Sequence, residues 1–384
     1  MSKAESSEPP IGFLGVAPLL GHIALAAISR LVTYPLRNVR CTSLYDDVLY
    51  AALRCLLSRW TIAQSRYLNA TTTTERYLAH CKQQNVEPNT MHIKNAHGEL
   101  AAHWIGTPNA DATIVYYHGG GYSQPATDAY FVYLERLIKH VNSDKSCRSI
   151  AVLMPAYTLA PEATHPSQLQ QGVAVLSHLI SDLHRSPSSI FVFGDSAGGN
   201  LALSVLSHIL HPHPDVPSLK LEQPLAGMLL ISPWAAFHPD YQSFEDNKIL
   251  DMLTPLALRK GSAIFLGKTN TADPESDPGW IVGDAWTEAS LNAASWWHGS
   301  HQVVSNVVVW SGGYELFRDP IKELKRHLVA GWIEAGGASE RVAFIESPRE
   351  AHIQPIMDTI VLSGRTKSDA QHAIEEWVKA RLQV

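Results

Sequence analysis

Ser196 lies at the centre of Gly194-Asp195-Ser196-Ala197-Gly198, a G-x-S-x-G pattern. A serine hydroxyl is a weak nucleophile. It attacks a carbonyl only where a base takes its proton and a carboxylate orients that base. The stretch before it, Ile190-Phe191-Val192-Phe193, is short, aromatic and β-branched, and reads as a buried strand. The stretch after it, from Leu201 to Leu206, has apolar residues at helical spacing. A turn this tight between strand and helix leaves no room for side chains two positions either side of the serine, hence the glycines. A second glycine run, His118-Gly119-Gly120-Gly121-Tyr122, ends another strand-like stretch. Bare backbone there can turn N–H groups toward one point, a donor pocket for a developing oxyanion. Taken singly, each run is also compatible with a plain glycine-rich loop.

The pattern and its strand-to-helix setting resemble the nucleophile turn of α/β-hydrolases, and that resemblance implies that the acid and then the histidine follow the serine in the chain. Two carboxylates follow the strand-like Val308-Val309-Trp310, namely Glu315 and Asp319. Asp319 precedes Pro320 and suits a helix N-cap, which gives it a structural task. Glu315 has none, and is the candidate acid. His352, in the loop Ser347-Pro348-Arg349-Glu350-Ala351-His352, is the candidate base; it is the only histidine between the preceding strand and the last helix, in which His372 falls.

These residues need a frame to hold them together. From residue 90 onward strand-like and helical stretches alternate. A hairpin is expected around 95–98, strands at 112–117, 149–154, 190–193, 225–231, within 303–310 and at 341–346, and helices at 128–141, 167–183, 197–210, 319–336 and 369–382. Such alternation predicts an α/β fold with a mostly parallel sheet covered by helices on both faces. Residues 1–85 read as a helical cap segment, and 86–384 as the catalytic domain with a cap insertion at about 235–297. Trp280, Trp286, Trp296 and Trp297 in that insertion either line an apolar pocket or pack it against the body.

Composition narrows the partners. The chain has 384 residues, 45% hydrophobic and 17% charged, enough apolar material for a large core. A net charge of −6 without any basic cluster argues against nucleic acid. Cys41, Cys55, Cys81 and Cys147 show no ligand-like spacing and read as free thiols of a cytoplasmic protein. His208, His211 and His213, with Asp215, match no zinc spacing, and Pro212, Pro214 and Pro217 mark a loop after a helix. The apolar run 11–28 is open to three readings: a lid helix, a membrane-surface helix, or an anchor or signal.

The combination of His118-Gly119-Gly120-Gly121-Tyr122, Tyr157-Thr158-Leu159-Ala160-Pro161-Glu162 and Gly194-Asp195-Ser196-Ala197-Gly198-Gly199 with the acid and histidine loops resembles the hormone-sensitive-lipase-like branch of the α/β-hydrolases, which includes fungal carboxylesterases. The likeness spans roughly residues 90–384. It implies Ser196 as nucleophile, His352 as base, Glu315 as acid, and an oxyanion hole from the N–H groups of Gly119, Gly120 and Ala197. Tyr122 and Asp195 are candidate substrate contacts. It implies a small-molecule ester as substrate and neither a metal nor an organic cofactor. The sequence departs from the family's usual pattern at Glu315 (aspartate), at Thr158 (arginine) and in Ala351-His352-Ile353-Gln354. Alternatives are a dedicated tailoring enzyme of secondary metabolism (deacetylation, thioester or lactone hydrolysis, acyl transfer, cyclisation) and a non-catalytic binding module.

Overall fold

The computed structural model describes residues 11–95, 98–268, 281–360 and 368–383. Eight strands form one sheet among these residues, in the order β1-β2-β4-β3-β5-β6-β7-β8. They are β1 (Thr90–Asn95), β2 (Gly98–Ile105), β3 (Ala112–Tyr117), β4 (Ile150–Pro155), β5 (Ile190–Asp195), β6 (Gly227–Ile231), β7 (Val307–Gly312) and β8 (Val342–Ser347). β1 and β2 form the expected hairpin, and β2 joins β4 antiparallel. From β4 to β8 every pairing is parallel. Every residue of β3, β4, β5, β6 and β7 is buried. Their apolar runs do not alternate because both faces of the sheet are covered.

On one face lie α6 (Ser167–Ser177), α7 (Ser196–Leu210), the single turn α10 (Ser300–Val303) and α11 (Arg318–Glu334), which pack Leu169, Leu201, Val205, Val303, Leu324 and Leu328 over the strands. On the other lie α4 (Thr73–Gln84), α5 (Asp128–Asn142), the single turn α12 (Gln354–Met357) and α13 (Asp369–Ala380), with Tyr77, Phe131, Leu134, Ile356, Ile374 and Val378. Parallel strands present their carboxyl ends along one edge of the sheet. There β3 delivers the His118 glycine run, β5 delivers Ser196, β7 the Glu315 loop and β8 the His352 loop.

Above that edge sit α1 (Phe13–Thr33), α2 (Leu44–Arg59) and α3 (Ile62–Leu68), together with α8 (Gln242–Asp246) and α9 (Pro255–Phe265) from the stretch after β6. Trp60 and Thr61 divide α2 from α3, and Thr61 caps α3 in a reciprocal pair with Gln64. Thr72 and Glu75 make the same pair at the start of α4. α11 begins at Arg318 rather than being capped by Asp319. Asp319 accepts the Ser243 N–H instead and tethers α8.

A buried ion pair joins α1 to α2. Arg30 donates from Nε to Asp47 Oδ2 at 2.5 Å and from Nη2 to Oδ1 at 2.8 Å, with the two side chains 5% and 0% exposed. The carboxylate also accepts the Cys41 N–H, and the guanidinium reaches the Ile249 carbonyl. Removing one partner strands the other charge in the interior. Arg30→Ala is expected to lower the free energy of unfolding by about 3–5 kcal/mol, read from urea denaturation against the parent protein.

Candidate active site

The chain turns from β5 into α7 at Ser196, whose φ is +50°. A Cβ on Gly194 would run into the Gly198 carbonyl, and one on Gly198 into the Tyr117 carbonyl. The glycines are therefore required by the closeness of the elements around the serine. The Ser196 carbonyl is tied down by the Trp234 N–H at 2.9 Å.

His352 Nε2 lies 2.9 Å from Ser196 Oγ, and His352 Nδ1 lies 2.9 Å from Glu315 Oε2. The structure thus brings together all three residues singled out for the triad. Glu315 is fully buried and His352 nearly so, whereas Ser196 keeps 9% exposure. The Gly312 N–H donates to the other Glu315 oxygen at 2.7 Å. The loops of acid and base zip together, Gly313 N–H to the Ser347 carbonyl and Tyr314 N–H to the Glu350 carbonyl. The edge of Phe317 closes on the imidazole at 5.1 Å between centroids.

Burial pushes the Glu315 carboxyl upward, opposed by the Ser232 hydroxyl and the Gly312 N–H. Burial pushes His352 down from 6.5, opposed by the charges of Asp251 and Asp195. The lowered His352 favours a neutral imidazole, which leaves Nε2 free to accept from Ser196 when its Nδ1–H faces Glu315; burial of Glu315 works against this, and the Gly312 and Ser232 donors offset it by favouring the ionised carboxylate.

The glycine run differs from expectation at one residue. Gly119 donates its N–H to Asp195 Oδ1 at 2.8 Å, so it is not available to an oxyanion. The N–H groups of Gly120, Gly121 and Ala197 have no protein partner among the described residues. Gly120 and Gly121 adopt φ of +111° and +58°, the conformational freedom that turns successive N–H groups outward. Gly121 was missed because three adjacent glycines look alike in sequence; only the Asp195 contact separates them.

Asp195 and Tyr122 are not placed to contact a substrate. Asp195 is fully buried beneath the glycine run, where it accepts from Tyr116 Oη at 2.9 Å and Tyr130 Oη at 2.8 Å. Burial raises its carboxyl to about 6, against the pull of Tyr130, Tyr116 and Gly119. Tyr122 is fully buried too, stacked on Phe265 at 3.8 Å, and donates to Asn200 Oδ1. Both residues shape the loop from below.

The insertion's tryptophans pack against α7. Trp286 Nε1 donates to the His211 carbonyl, Trp296 Nε1 to Ser207 Oγ, and Trp297 is wholly buried. Trp280 lies outside the described residues. The clustered histidines have their own bonds: Nδ1 of His208, in α7, accepts the His213 N–H, and His213 Nδ1 in the following loop accepts the Asp215 N–H. All four cysteines are free thiols.

Sequence reading overlooked Asn247 and Asp251, which follow α8 and are nearly or fully buried. Asn247 Nδ2 donates to the carbonyls of Gly313 and Glu315, at 3.1 and 2.8 Å. Asp251 Oδ2 accepts the Leu316 N–H at 2.6 Å, and Oδ1 accepts the Met252 N–H. Together they grip the acid's backbone from both sides. A single chain offers no signal for this, because the partners are backbone groups more than 60 positions away.

The family model described as the alpha/beta hydrolase fold matches residues 114–353. The chain belongs to the α/β-hydrolase family. Within this family its motifs are those of the hormone-sensitive-lipase-like branch. It is 27% identical over 179 residues to steryl acetyl hydrolase 1 of Saccharomyces cerevisiae, covering 44% of this chain and 39% of that protein. It is 28% identical over 147 residues to an esterase of Gibberella moniliformis, covering 37% of this chain and 42% of that one. The match thus spans about two fifths of the length of these curated relatives. An esterase from the bacterial hormone-sensitive lipase family superposes with a TM-score of 0.58 at 21% identity, over 89% of this chain and 99% of that one.

Two outcomes follow for this α/β-hydrolase. The acid limb of kcat/KM in a pH series should have an apparent pKa below 6.5, because burial resists imidazolium formation; a limb above that value would contradict the environment described. Asp251→Asn should turn an amide N–H against the Leu316 N–H and lower kcat roughly tenfold to a hundredfold, the equivalent of about 1–3 kcal/mol, with KM little changed. Steady-state kinetics on one ester reads both parameters.

Proposed function

We propose that the protein is a serine hydrolase of carboxylic esters, acting through Ser196, His352 and Glu315 and an acyl-enzyme. One observation carries this reading: the unbroken line from the Ser196 hydroxyl through the His352 ring to the Glu315 carboxylate, with 2.9 Å at each junction. In this reading His352 Nε2 takes the Ser196 proton as Oγ attacks the ester carbonyl. The imidazolium formed is stabilised by Glu315. The tetrahedral oxyanion is held by the N–H groups of Gly120, Gly121 and Ala197, and the loss of one such donor raises the barrier by about 3 kcal/mol. His352 then protonates the departing alcohol, and water enters by the same route to release the acid.

The substrate class proposed is a short-chain ester of an apolar alcohol. The name of the yeast relative, a steryl acetyl hydrolase, supports that choice, and deacetylation falls within it.

The test is covalent labelling. A fluorophosphonate should label the parent protein on Ser196, and Ser196→Ala should lose both label and activity, with a drop in kcat of about 10⁴-fold or more. A panel of p-nitrophenyl esters from acetate to hexanoate, with cholesteryl acetate beside it, reads chain length and alcohol together. Folded parent protein that takes no label would overturn the hydrolase reading. Labelling with silence on every ester would shift it to a dedicated acyl transfer.

A further inference from the structure

We propose that α1 is a membrane-surface helix, its outer face lying in the headgroup–acyl boundary of an anionic bilayer while its inner face stays docked on the cap. The helix is 21 residues long, about 32 Å at 1.5 Å per residue. Leu14, Leu25, Ile28, Val32 and, just beyond the helix, Leu36 are 57–85% exposed. The last four are spaced three or four apart, so they lie along one stripe of the surface. Isolated exposed leucines need no explanation; a continuous uncharged row does.

Charge points to lipid as the occupant. Between Glu8 and Asp46 the sequence has no carboxylate, while Arg30, Arg37 and Arg40 are all cationic. Arg30 is spent internally on Asp47. Arg37 and Arg40 flank the end of the exposed row, with Arg40 over the Tyr34 ring at 4.7 Å. An apolar stripe ending in arginines and a tyrosine is the pattern of an interfacial segment, in which lipid phosphates answer the cations. A second copy of the chain would bring no carboxylate on this face to meet them.

The inner face decides between lying on the bilayer and crossing it. The run is long enough to span by length and composition alone. However, Arg30 is locked to Asp47 and to the Ile249 carbonyl. Leu19 packs with Trp60, Ala160 and Ile264, and the Gly15 carbonyl accepts from Gln64. A spanning helix would have to surrender all of these and bring an unpaired arginine into hydrocarbon. A helix in the surface plane keeps them.

Tyr50, on the helix paired with α1, donates to Gln354 at 2.5 Å, two residues from His352. Docking by α1 therefore sets the cap over Ser196 next to lipid, a route for apolar esters; this last step rests on the hydrolase reading, whereas the binding itself does not.

Flotation of the full chain with vesicles of phosphatidylcholine and about one third phosphatidylserine tests the binding. The parent protein should float with the vesicles, less so as salt rises. Leu25→Glu with Ile28→Glu should weaken binding at least about tenfold, and leave hydrolysis of soluble p-nitrophenyl acetate unchanged. Leu25→Ser with Ile28→Ser, which adds no charge, should weaken it in the same direction. A parent that does not float, or variants that float equally, would overturn the proposal whether or not the ester is cleaved. Membrane-bound protein resisting alkaline carbonate would replace the surface helix with a spanning one. A lipid-free dimer that either double variant dissociates would reassign the face to self-association.

Discussion

The carboxylate of Glu315 has no exposure to water, and the arrangement around it follows from that constraint. Ionisation in such a place has to be compensated by fixed local donors, since solvent cannot reorganise to supply them. The donors are the Gly312 N–H, the Ser232 hydroxyl and the His352 ring. Each is positioned by a different parallel strand: β7 ends at Gly312, β6 ends just before Ser232, and β8 leads to His352. The sheet edge therefore supplies the serine's partners and, beyond them, the dielectric setting in which the Glu315 carboxylate faces the His352 ring.

The cap is mechanically continuous with that setting. Asp251 grips the Leu316 N–H, and its own carbonyl accepts from Arg54 of α2. Tyr50 of the same helix bonds Gln354 beside the base. α2 is in turn joined to α1 by the Arg30–Asp47 pair. Acid loop, base loop and both halves of the cap are linked by buried polar contacts, which tolerate little misplacement because an unmet partner is costly. These bonds run in contact from α1 to the loop that carries the imidazole.

The sheet was legible because apolar runs of five or six residues, bounded by glycine and proline, cannot be much else. Ile190–Phe193 and Ala112–Tyr117 were read in place, and the choice of Glu315 over Asp319 followed from helix-start chemistry even though Asp319 is not itself the cap. What escaped reading were interactions between a side chain and distant backbone. Nothing in His118-Gly119-Gly120-Gly121 reveals which N–H is taken, because the taker, Asp195, lies 76 positions on. Asp195 was a candidate substrate contact, but the chain turns sharply at Ser196 and leaves the Asp195 carboxylate beneath the glycine run, bonded to Gly119, Tyr116 and Tyr130. Asn247 and Asp251 look like ordinary loop residues until the acid loop is folded over them.

The glutamate in the acid position illustrates how such hidden contacts set function. It carries one methylene more than the aspartate usual in the resembled branch, and a longer acid on an unchanged backbone would push the imidazole toward the serine. Here Oε1 is drawn back to the N–H of Gly312, three residues earlier, so the side chain folds over its own loop. That fold needs the turn from Gly312 to Leu316 held rigidly. Asn247 fixes the carbonyls of Gly313 and Glu315, and Asp251 fixes the following N–H. The extra length is absorbed within the loop, and the 2.9 Å junctions on either side of His352 are left intact.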